Sequence, residues 1–228
     1  LIQLGPGAGA VTFSYNGGQQ YTAASTYKLA ILMYEAEGIA SGALSPSDQL
    51  CFQDSDYEDG WFDDYGEGSC FSRQELAVRT GQYSDNTAAH ILADEFGSTD
   101  GVNAYAAAHG AVNSQFMDPN LTTPDDLAAL WLNEASGKAG GPAAQAWLYP
   151  LLTHTQYESG IPAAAPAGAT VAHKVGFIDG FVNDAALVRG GPTGDYILVV
   201  MTDGEGGDAG YQLVAQVSAR IAQYEAAR

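Results

Sequence analysis

Alternating polar and apolar residues near the start of the chain predict β-strands. Residues 10–15 and 20–23 alternate on either side of Asn16-Gly17-Gly18, and an Asn-Gly pair between two such runs is typical of a β-hairpin. From residue 25 to about residue 40 the pattern changes, and apolar side chains cover nearly every side, as in a buried helix. The chain is therefore expected to open with a hairpin and to continue into a core helix.

Helical spacing dominates the middle of the chain. The predicted helices cover residues 73–80, 87–96, 99–109, 124–136 and 142–152. The fourth has the clearest start, because Thr123 is a good N-cap and Pro124 suits the first helical position. Ahead of these helices, residues 54–67 contain seven acidic side chains, a density that predicts a solvated loop.

Three runs rich in β-branched and aromatic residues follow, at 170–177, 182–189 and 196–202, separated by glycine-rich turns. A final helix is predicted over residues 209–226. Its apolar stripe consists of Leu213, Val214, Val217 and Ile221. This order predicts an α+β fold, an α/β sandwich in which an antiparallel sheet of about five strands is flanked by helices.

The two ends of the chain are expected to build the sheet together. Residues 1–228 then form a single domain, in which 1–24 and 168–228 make the α/β part and about 45–150 make an inserted helical subdomain.

The amino-acid composition excludes several classes of function. Of the 228 residues, 46% are hydrophobic and 15% are charged, which is typical of a folded globular protein. The net charge of −19 repels nucleic acid and anionic membrane surfaces. The longest apolar run, about five residues, is far shorter than the roughly 20 that a membrane-spanning helix needs. Because the chain starts at Leu1 without Met, we expect a mature form from which a signal peptide has been removed.

The only two cysteines, Cys51 and Cys70, flank the acidic loop. They are too few for a thiolate zinc site, and a disulfide between them is the expectation, with two free thiols as the alternative. Within the loop, residues 54–60 read Asp-x-Asp-x-Glu-Asp-Gly, which suggests calcium ligands, although the glycine comes one place late for an EF-hand. A solvated loop without metal is the preferred interpretation.

Ser25-Thr26-Tyr27-Lys28 lies where strand gives way to the core helix, so the side chains of Ser25 and Lys28 share a face. A serine hydroxyl becomes a good nucleophile when a base takes its proton, and a desolvated lysine is neutral enough to do so. The alternative is a serine that caps the helix and a lysine exposed one turn later.

Two further motifs carry polar groups. Ser84-Asp85-Asn86 stands between two predicted helices, where it could simply end one and cap the next. Lys174-Val175-Gly176, preceded by His173, lies in the first C-terminal strand, where a lysine could be an ordinary edge residue.

Taken together and in this order, the three motifs resemble the Ser-x-x-Lys, Ser-Asp-Asn and Lys-Thr-Gly set of class A β-lactamases and penicillin-binding proteins. Ser84 comes 59 residues after Ser25, and Lys174 comes 90 after Ser84, spacings compatible with that family. Residues 121–128 look like the family's Thr-Thr-Pro helix start, and Asn183-Asp184 like its next-strand pair. The resemblance covers nearly the whole chain.

This resemblance implies catalytic roles for Ser25, Lys28, Ser84 and Lys174 and substrate contacts for Asn86, Val175, Gly176 and Phe177. Ser25 would form an acyl-enzyme with Lys28 as its base. Ser84 would pass a proton to the leaving nitrogen, and Asn86 would hold the substrate amide. Lys174 would attract a substrate carboxylate. The backbone N–H groups of Ser25 and Phe177 would form the oxyanion hole, while Asp85 would be structural.

The chain departs from the family pattern in two places. Residues 110–121 contain no Glu to activate a deacylating water, and Asp118, the nearby acid, is either a substitute or an ordinary turn residue before Pro119. Val175 replaces a hydroxyl that would donate to the substrate carboxylate, a loss of roughly 1–3 kcal/mol. His173 either alters the environment of Lys174 or has no catalytic consequence.

We therefore expect a serine hydrolase acting on β-lactams or related amides and esters, secreted or in the periplasm or cell envelope. The alternatives are a D-Ala-D-Ala peptidase, a penicillin-binding or sensing domain that stays acylated, and an inactive scaffold. No cofactor, metal, nucleic-acid partner or membrane insertion is expected, and the protein should be a monomer. The aromatic residues of the acidic loop either contact substrate or pin the loop; they are Tyr57, Trp61, Phe62 and Tyr65.

Overall fold

A computed structural model describes residues 1–4 and 10–227 of the chain. Its α-helices are α1 (Lys28–Ser41), α2 (Arg73–Gln82), α3 (Asn86–Asp94), α4 (Ser98–Ala108), α5 (Pro124–Ala135), α6 (Gly141–Leu148) and α7 (Gly207–Ala226). Its strands are β1 (Ile2–Gln3), β2 (Ala10–Val11), β3 (Tyr21–Thr22), β4 (Gln49–Cys51), β5 (Cys70–Ser72), β6 (Leu121–Thr122), β7 (Thr170–Ile178), β8 (Phe181–Gly191) and β9 (Gly194–Val200).

The main sheet has five antiparallel strands in the order β2-β1-β9-β8-β7. Both ends of the chain contribute to it, as predicted, and β7 forms one edge. One face packs around Val214 of α7 with Val171, Val175 and Val188. The other face joins a larger core that includes α1 and the middle helices. The predicted α+β class is therefore confirmed.

The predicted hairpin between residues 10–15 and 20–23 is wrong. The Asn16 turn exists, since Gln19 N donates to Asn16 O at 2.9 Å, but the flanking strands pair elsewhere. β2 pairs with β1, and β3 pairs with β6, about 100 residues away in sequence. Alternation identifies a strand, whereas its partner depends on tertiary packing.

The helices follow their predicted patterns closely. α1 is apolar nearly all round because Leu29, Ile31 and Leu32 are all fully buried. α5 starts as expected, with the Thr123 side chain accepting from Asp126 N. The stripe predicted on α7 is only partly buried: Val214 has no exposed surface, but Leu213 is 40% exposed. Among the described residues, no helix is long and apolar enough to span a bilayer.

Two kinds of interaction hold the acidic loop in place, a disulfide and contacts with Arg79. Cys51 and Cys70 form a disulfide between β4 and β5, as predicted. The guanidinium of Arg79 on α2 lies 4.2 Å from the ring of Phe62 and pairs with Asp64 at 2.6 Å. Within the described ranges, no group of three or more His, Cys, Asp or Glu side chains is placed to hold a metal ion, so the calcium alternative gains no support.

A buried ion pair joins α1 to α2. Arg73 Nη1 contacts both carboxylate oxygens of Glu35 at 2.8 Å, and both side chains are almost completely buried. Burial raises the pKa of Glu35 to about 7, while the Arg73 hydrogen bond and charge act in the opposite direction. The carboxylate therefore depends on Arg73 for its charged state.

Replacing Arg73 with Ala is expected to lower the free energy of unfolding by about 3–5 kcal/mol, because Glu35 would be left buried without its partner. Urea denaturation at pH 8 measures the change. The control is Arg220→Ala on the exposed face of α7, which should change stability by no more than about 0.5 kcal/mol. Equal effects of the two substitutions would contradict a stabilising role for the buried pair.

Candidate active site

Ser25 lies in a short 3-10 turn, Ala24–Tyr27, that leads directly into α1. The turn is tight: Ala24 has a φ of 47°, in the left-handed region. Ser25 is partly exposed, whereas Lys28 is fully buried, and the Lys28 amine lies 3.2 Å from Ser25 Oγ. The alternative of a capping serine followed by an exposed lysine is therefore wrong, since Tyr27 holds the N-cap position of α1 and Lys28 faces inward.

Lys28 also contacts the segment between α2 and α3. Its amine donates to the backbone oxygen of Ser84 at 2.5 Å and to Asn86 Oδ1, and lies 3.4 Å from Ser84 Oγ. Burial lowers the pKa of Lys28 to about 7, partly opposed by the negative charges of Asp85 and Glu58. A substantial neutral fraction at neutral pH leaves the amine able to accept a proton.

Asp85 holds this segment in place. Its carboxylate caps α3 by accepting from Ala88 N at 2.9 Å, and it also accepts from Tyr65 Oη at 2.7 Å and Trp61 N at 3.2 Å. Ser84 next to it has a φ of 59°, a strained value for a residue with a side chain. Asp85 therefore ties the acidic loop to the Ser84 turn, the structural role that the resemblance implied.

Lys174 reaches Ser84 from the opposite side. It lies on β7 with its amine 2.8 Å from Ser84 Oγ and 2.9 Å from Val175 O, and it is almost completely buried. Burial and the nearby charge of Lys28 hold the pKa of Lys174 well below its usual range, against the attraction of Asp184. Ser84 is therefore bracketed by two lysines from distant parts of the chain.

The residues after Lys174 meet the Ser25 turn through their backbone. A Cβ on Gly176 would lie 2.7 Å from Ser25 N and 2.8 Å from Ala23 O, so only glycine fits there. The Val175 side chain is buried in the core on the α7 side of the sheet and offers substrate at most its backbone. The Phe177 side chain is 42% exposed at the rim of the site.

Two site residues, Asn120 and Glu58, were missed from the sequence, whereas Asn183 belongs to the strand pair that the resemblance had singled out. Asn183 on β8 supports the Ser25 turn by donating to Thr22 O at 2.8 Å. Asn120 Nδ2 donates to Ala24 O at 3.2 Å. Glu58 Oε1 accepts from Asn86 Nδ2 at 2.7 Å. None of these contacts has a local sequence signal, because each joins segments far apart in the chain.

The aromatic residues of the acidic loop fall into two groups, one packed and one exposed. The rings of Phe62 and Tyr65 pack on the Arg79 guanidinium and pin the loop. Trp61 and Tyr57 remain more than half exposed, and Trp61 Nε1 donates to Tyr157 Oη at 2.8 Å across the mouth of the site. Tyr157 belongs to a segment for which the sequence indicated no role.

The geometry suits nucleophilic catalysis. A partly exposed hydroxyl contacts a buried amine of lowered pKa, and a second hydroxyl stands between that amine and another lysine. Such an arrangement can remove a proton from Ser25 and deliver one to a leaving group near Ser84. Asp118 is exposed in a turn after Phe116, and its backbone N–H donates to Phe116 O at 3.1 Å.

A family model described as the beta-lactamase enzyme family matches residues 4–225 of the chain. Among solved structures, PBP-A superposes with a TM-score of 0.83 at 28% sequence identity, covering 91% of this chain and 82% of that one. A variant of PBP-A, described as an acyl-enzyme complex with penicillin G, superposes with a TM-score of 0.86 at 28% identity, covering 93% and 84% of the two chains.

A beta-lactamase from Sphaerobacter thermophilus DSM 20745 superposes with a TM-score of 0.85 at 24% identity, covering 95% of this chain and 88% of that one. At this identity the match supports the fold alone. No curated protein matches the chain.

Gly176→Ala is expected to reduce the reactivity of Ser25 at least about tenfold, because the new Cβ would push against backbone atoms of the Ser25 turn. The measurement is the rate at which a fluorophosphonate adds mass to the intact protein. Gly66→Ala is the matched control, since a Cβ there meets no atom within 4 Å. Wild-type reactivity in the Gly176 variant would show that the close approach does not position Ser25.

Proposed function

The chain belongs to the beta-lactamase enzyme family, and on that premise we propose that it is a serine hydrolase that forms an acyl-enzyme on Ser25. The substrates are β-lactams or related amides and esters. The observation that carries the proposal is the contact of the buried Lys28 amine with Ser25 Oγ, Ser84 and Asn86 together. A buried amine lowers the stability of the fold, and an inactive scaffold would gain nothing from placing one beside a partly exposed serine.

Acylation begins with proton transfer from Ser25 Oγ to the neutral amine of Lys28. The oxygen attacks the substrate carbonyl carbon and forms a tetrahedral intermediate, whose negative charge the backbone N–H groups of Ser25 and Phe177 stabilise. When the carbon–nitrogen bond breaks, Ser84 Oγ donates its proton to the leaving nitrogen and takes one from Lys28. The ester on Ser25 and a neutral Lys28 amine remain.

Substrate binding uses the other polar groups of the site. The Asn86 side chain holds the amide of the substrate, exchanging its contact with Glu58 for one with the ligand. Lys174 supplies positive potential for a substrate carboxylate, in a protein whose net charge of −19 otherwise repels anions. Because Val175 has no hydroxyl to donate, carboxylate recognition relies on Lys174 more heavily.

Hydrolysis of the acyl-enzyme needs a group that activates a water, and a domain that stays acylated is the second candidate function. Residues 110–121 contain no Glu, and Asp118 is exposed. The PBP-A variant described as an acyl-enzyme complex with penicillin G is a structural relative in which such an adduct was observed. A D-Ala-D-Ala peptidase or a penicillin-binding sensor would fit slow deacylation of a β-lactam.

We place the protein outside the cytoplasm, secreted or in the cell envelope. The Cys51–Cys70 disulfide supports this location, because such bonds persist in oxidising compartments. Substrates of the cell envelope, including peptidoglycan peptides, would be accessible there.

Intact-protein mass spectrometry after exposure to penicillin G is expected to show one covalent adduct on the wild type and none on Ser25→Ala. Ser136→Ala, an exposed serine at the end of α5, is the control and should acylate normally. A time course distinguishes the candidates: an adduct that disappears as penicillin is consumed indicates turnover, and one that persists indicates a trap. Acylation that survives Ser25→Ala would refute the proposed nucleophile.

The acylation rate constant is expected to rise with pH and to level off between about pH 7 and about pH 9. The pKa of Lys28 is lowered to about 7, so below that pH the amine is protonated and cannot accept the Ser25 proton. Well below the midpoint, the rate should fall roughly tenfold per pH unit. Stopped-flow mixing with a chromogenic cephalosporin, with folding checked by circular dichroism at each pH, measures the profile. A flat profile between pH 5 and pH 9 would exclude Lys28 as the base.

A further inference from the structure

His173 is buried between two carboxylates on the side of β7 that faces away from Lys174. Its Nδ1 lies 2.9 Å from Asp184 Oδ1 on β8, and its Nε2 lies 3.2 Å from Glu158 Oε1. Thr155 Oγ1 is 3.3 Å from the same Nε2. Both His173 and Asp184 are almost completely inaccessible to solvent. The mechanism proposed above uses none of these groups.

A protonated ring can donate to both carboxylates in this geometry. A neutral imidazole carries one N–H, so one of its nitrogens would present a lone pair to a carboxylate. Burial alone would lower the pKa of His173, but Asp184 and Glu158 outweigh that effect and raise it to about 9. The Glu158 carboxyl in turn has a pKa below its usual range, since the contact with His173 outweighs its partial burial. The cluster is therefore a cation between two anions.

The cluster fastens a segment of chain, residues 155–161, which we call the strap. Thr155 contacts His173 at its beginning and Glu158 does so in its middle. At its end, Ile161 N donates to Asp184 Oδ2 at 2.8 Å. Gly160 permits this approach, because a Cβ there would lie 2.4 Å from Asp184 Oδ2. Both ends of the strap are thus bound to His173 or to its partner Asp184.

Tyr157, in the middle of the strap, spans the mouth of the active site. Its ring lies 5.2 Å from that of Phe177 on β7. Its hydroxyl donates to Tyr83 O at 3.2 Å, on the residue before Ser84, and accepts from Trp61 Nε1 at 2.8 Å. Tyr157 therefore connects the sheet to the turn that carries Ser84 and to the acidic loop.

We propose that His173 is a positioning residue for the acylation reaction: as an imidazolium it holds the strap, and through Tyr157 the strap sets the position of Ser84 relative to Lys174. This inference rests on the proposed function, because it assigns the strap to the same acylation step. In this proposal the protonated His173 holds the strap without itself contacting the reacting groups.

The groups around His173 determine how the strap responds to pH. Asp184 faces it from β8 and Glu158 from the strap, while Lys174 is the adjacent residue on its own strand. From α7 the neighbouring titratable group is Tyr211, whose pKa is raised by burial and by Asp184, so it stays neutral. Because the folded-state pKa of His173 is raised, its contribution to stability is complete below pH 6.5 and is lost as pH rises through about 9.

NMR titration of the imidazole resonances tests the charge state without needing any activity. The chain has only four histidines, so the signal of His173 can be assigned by substitution. We expect it to titrate near pH 9 in the wild type and at least about one unit lower in Glu158→Gln, which keeps a hydrogen-bond acceptor but removes the charge. Glu67→Gln, the same change on an exposed residue, should leave it in place. A His173 that is neutral at pH 7 would overturn the proposal.

Acylation kinetics test the function of the strap. Tyr157→Phe removes the hydroxyl and keeps the ring, and we expect acylation by penicillin G at pH 7.5 to be about 3–10 times slower, with the folded state retained. In the wild type the rate should fall toward that of Tyr157→Phe as pH rises past 9. Glu158→Gln should shift this alkaline fall to lower pH in parallel with the NMR titration.

The variant Tyr157→Phe also separates the strap from Lys174. Deprotonation of Lys174 would produce an alkaline fall in every variant, whereas a fall caused by the strap disappears once the Tyr157 hydroxyl has been removed. An unchanged alkaline fall in Tyr157→Phe, or a His173 titration that shifts without any kinetic change, would overturn the proposal. Failure of the wild type to acylate at any pH would instead refute the proposed function, and the NMR result would still report on the cluster.

Discussion

The arrangement of the active site depends on the buried amine of Lys28. An ammonium group withdrawn from water is costly, so the amine is tolerated only where several oxygen acceptors surround it and where its pKa falls. Ser25, one turn before it, supplies one of those acceptors, and Ser84 and Asn86 supply the others. Burial raises the free energy of the charged amine and thereby lowers its pKa, so the amine can act as a base near neutral pH.

Rigid supports hold each of these partners. α1 anchors Lys28 in the core because apolar side chains cover nearly all of its surface. Asp85 fixes the turn between α2 and α3 through three hydrogen bonds. On the sheet side, Gly176 lets β7 pass against the Ser25 turn, which brings Lys174 within 2.8 Å of Ser84 Oγ. The site thus forms where a helix start, an interhelical turn and an edge strand meet.

Charge is distributed in a way that favours this chemistry. The chain carries 27 acidic and 8 basic residues, yet two of its three lysines are buried at the site. The acidic loop has its own anchors, the disulfide and the Arg79 pair with Asp64, and only its Glu58 reaches the site residue Asn86 among the contacts described above. Because Lys28 has to be neutral to act as the base, positive potential at the site comes from Lys174, whose charged form Asp184 favours and burial opposes.

The sequence by itself determined the elements and most of the reacting groups. Hydrophobic periodicity, caps and glycine turns are local signals, so the helices, the three long strands and the Thr123 cap were predictable, as was the set of Ser25, Lys28 and Lys174. The tertiary structure alone decided which strands pair, why β3 joins β6, and which polar groups meet. No local sequence pattern indicated the site contacts of Glu58 and Asn120. The same holds for the contacts of His173 with Asp184 and Glu158. Such contacts depend on the distance between segments far apart in the chain, and that distance is set by packing of the whole core.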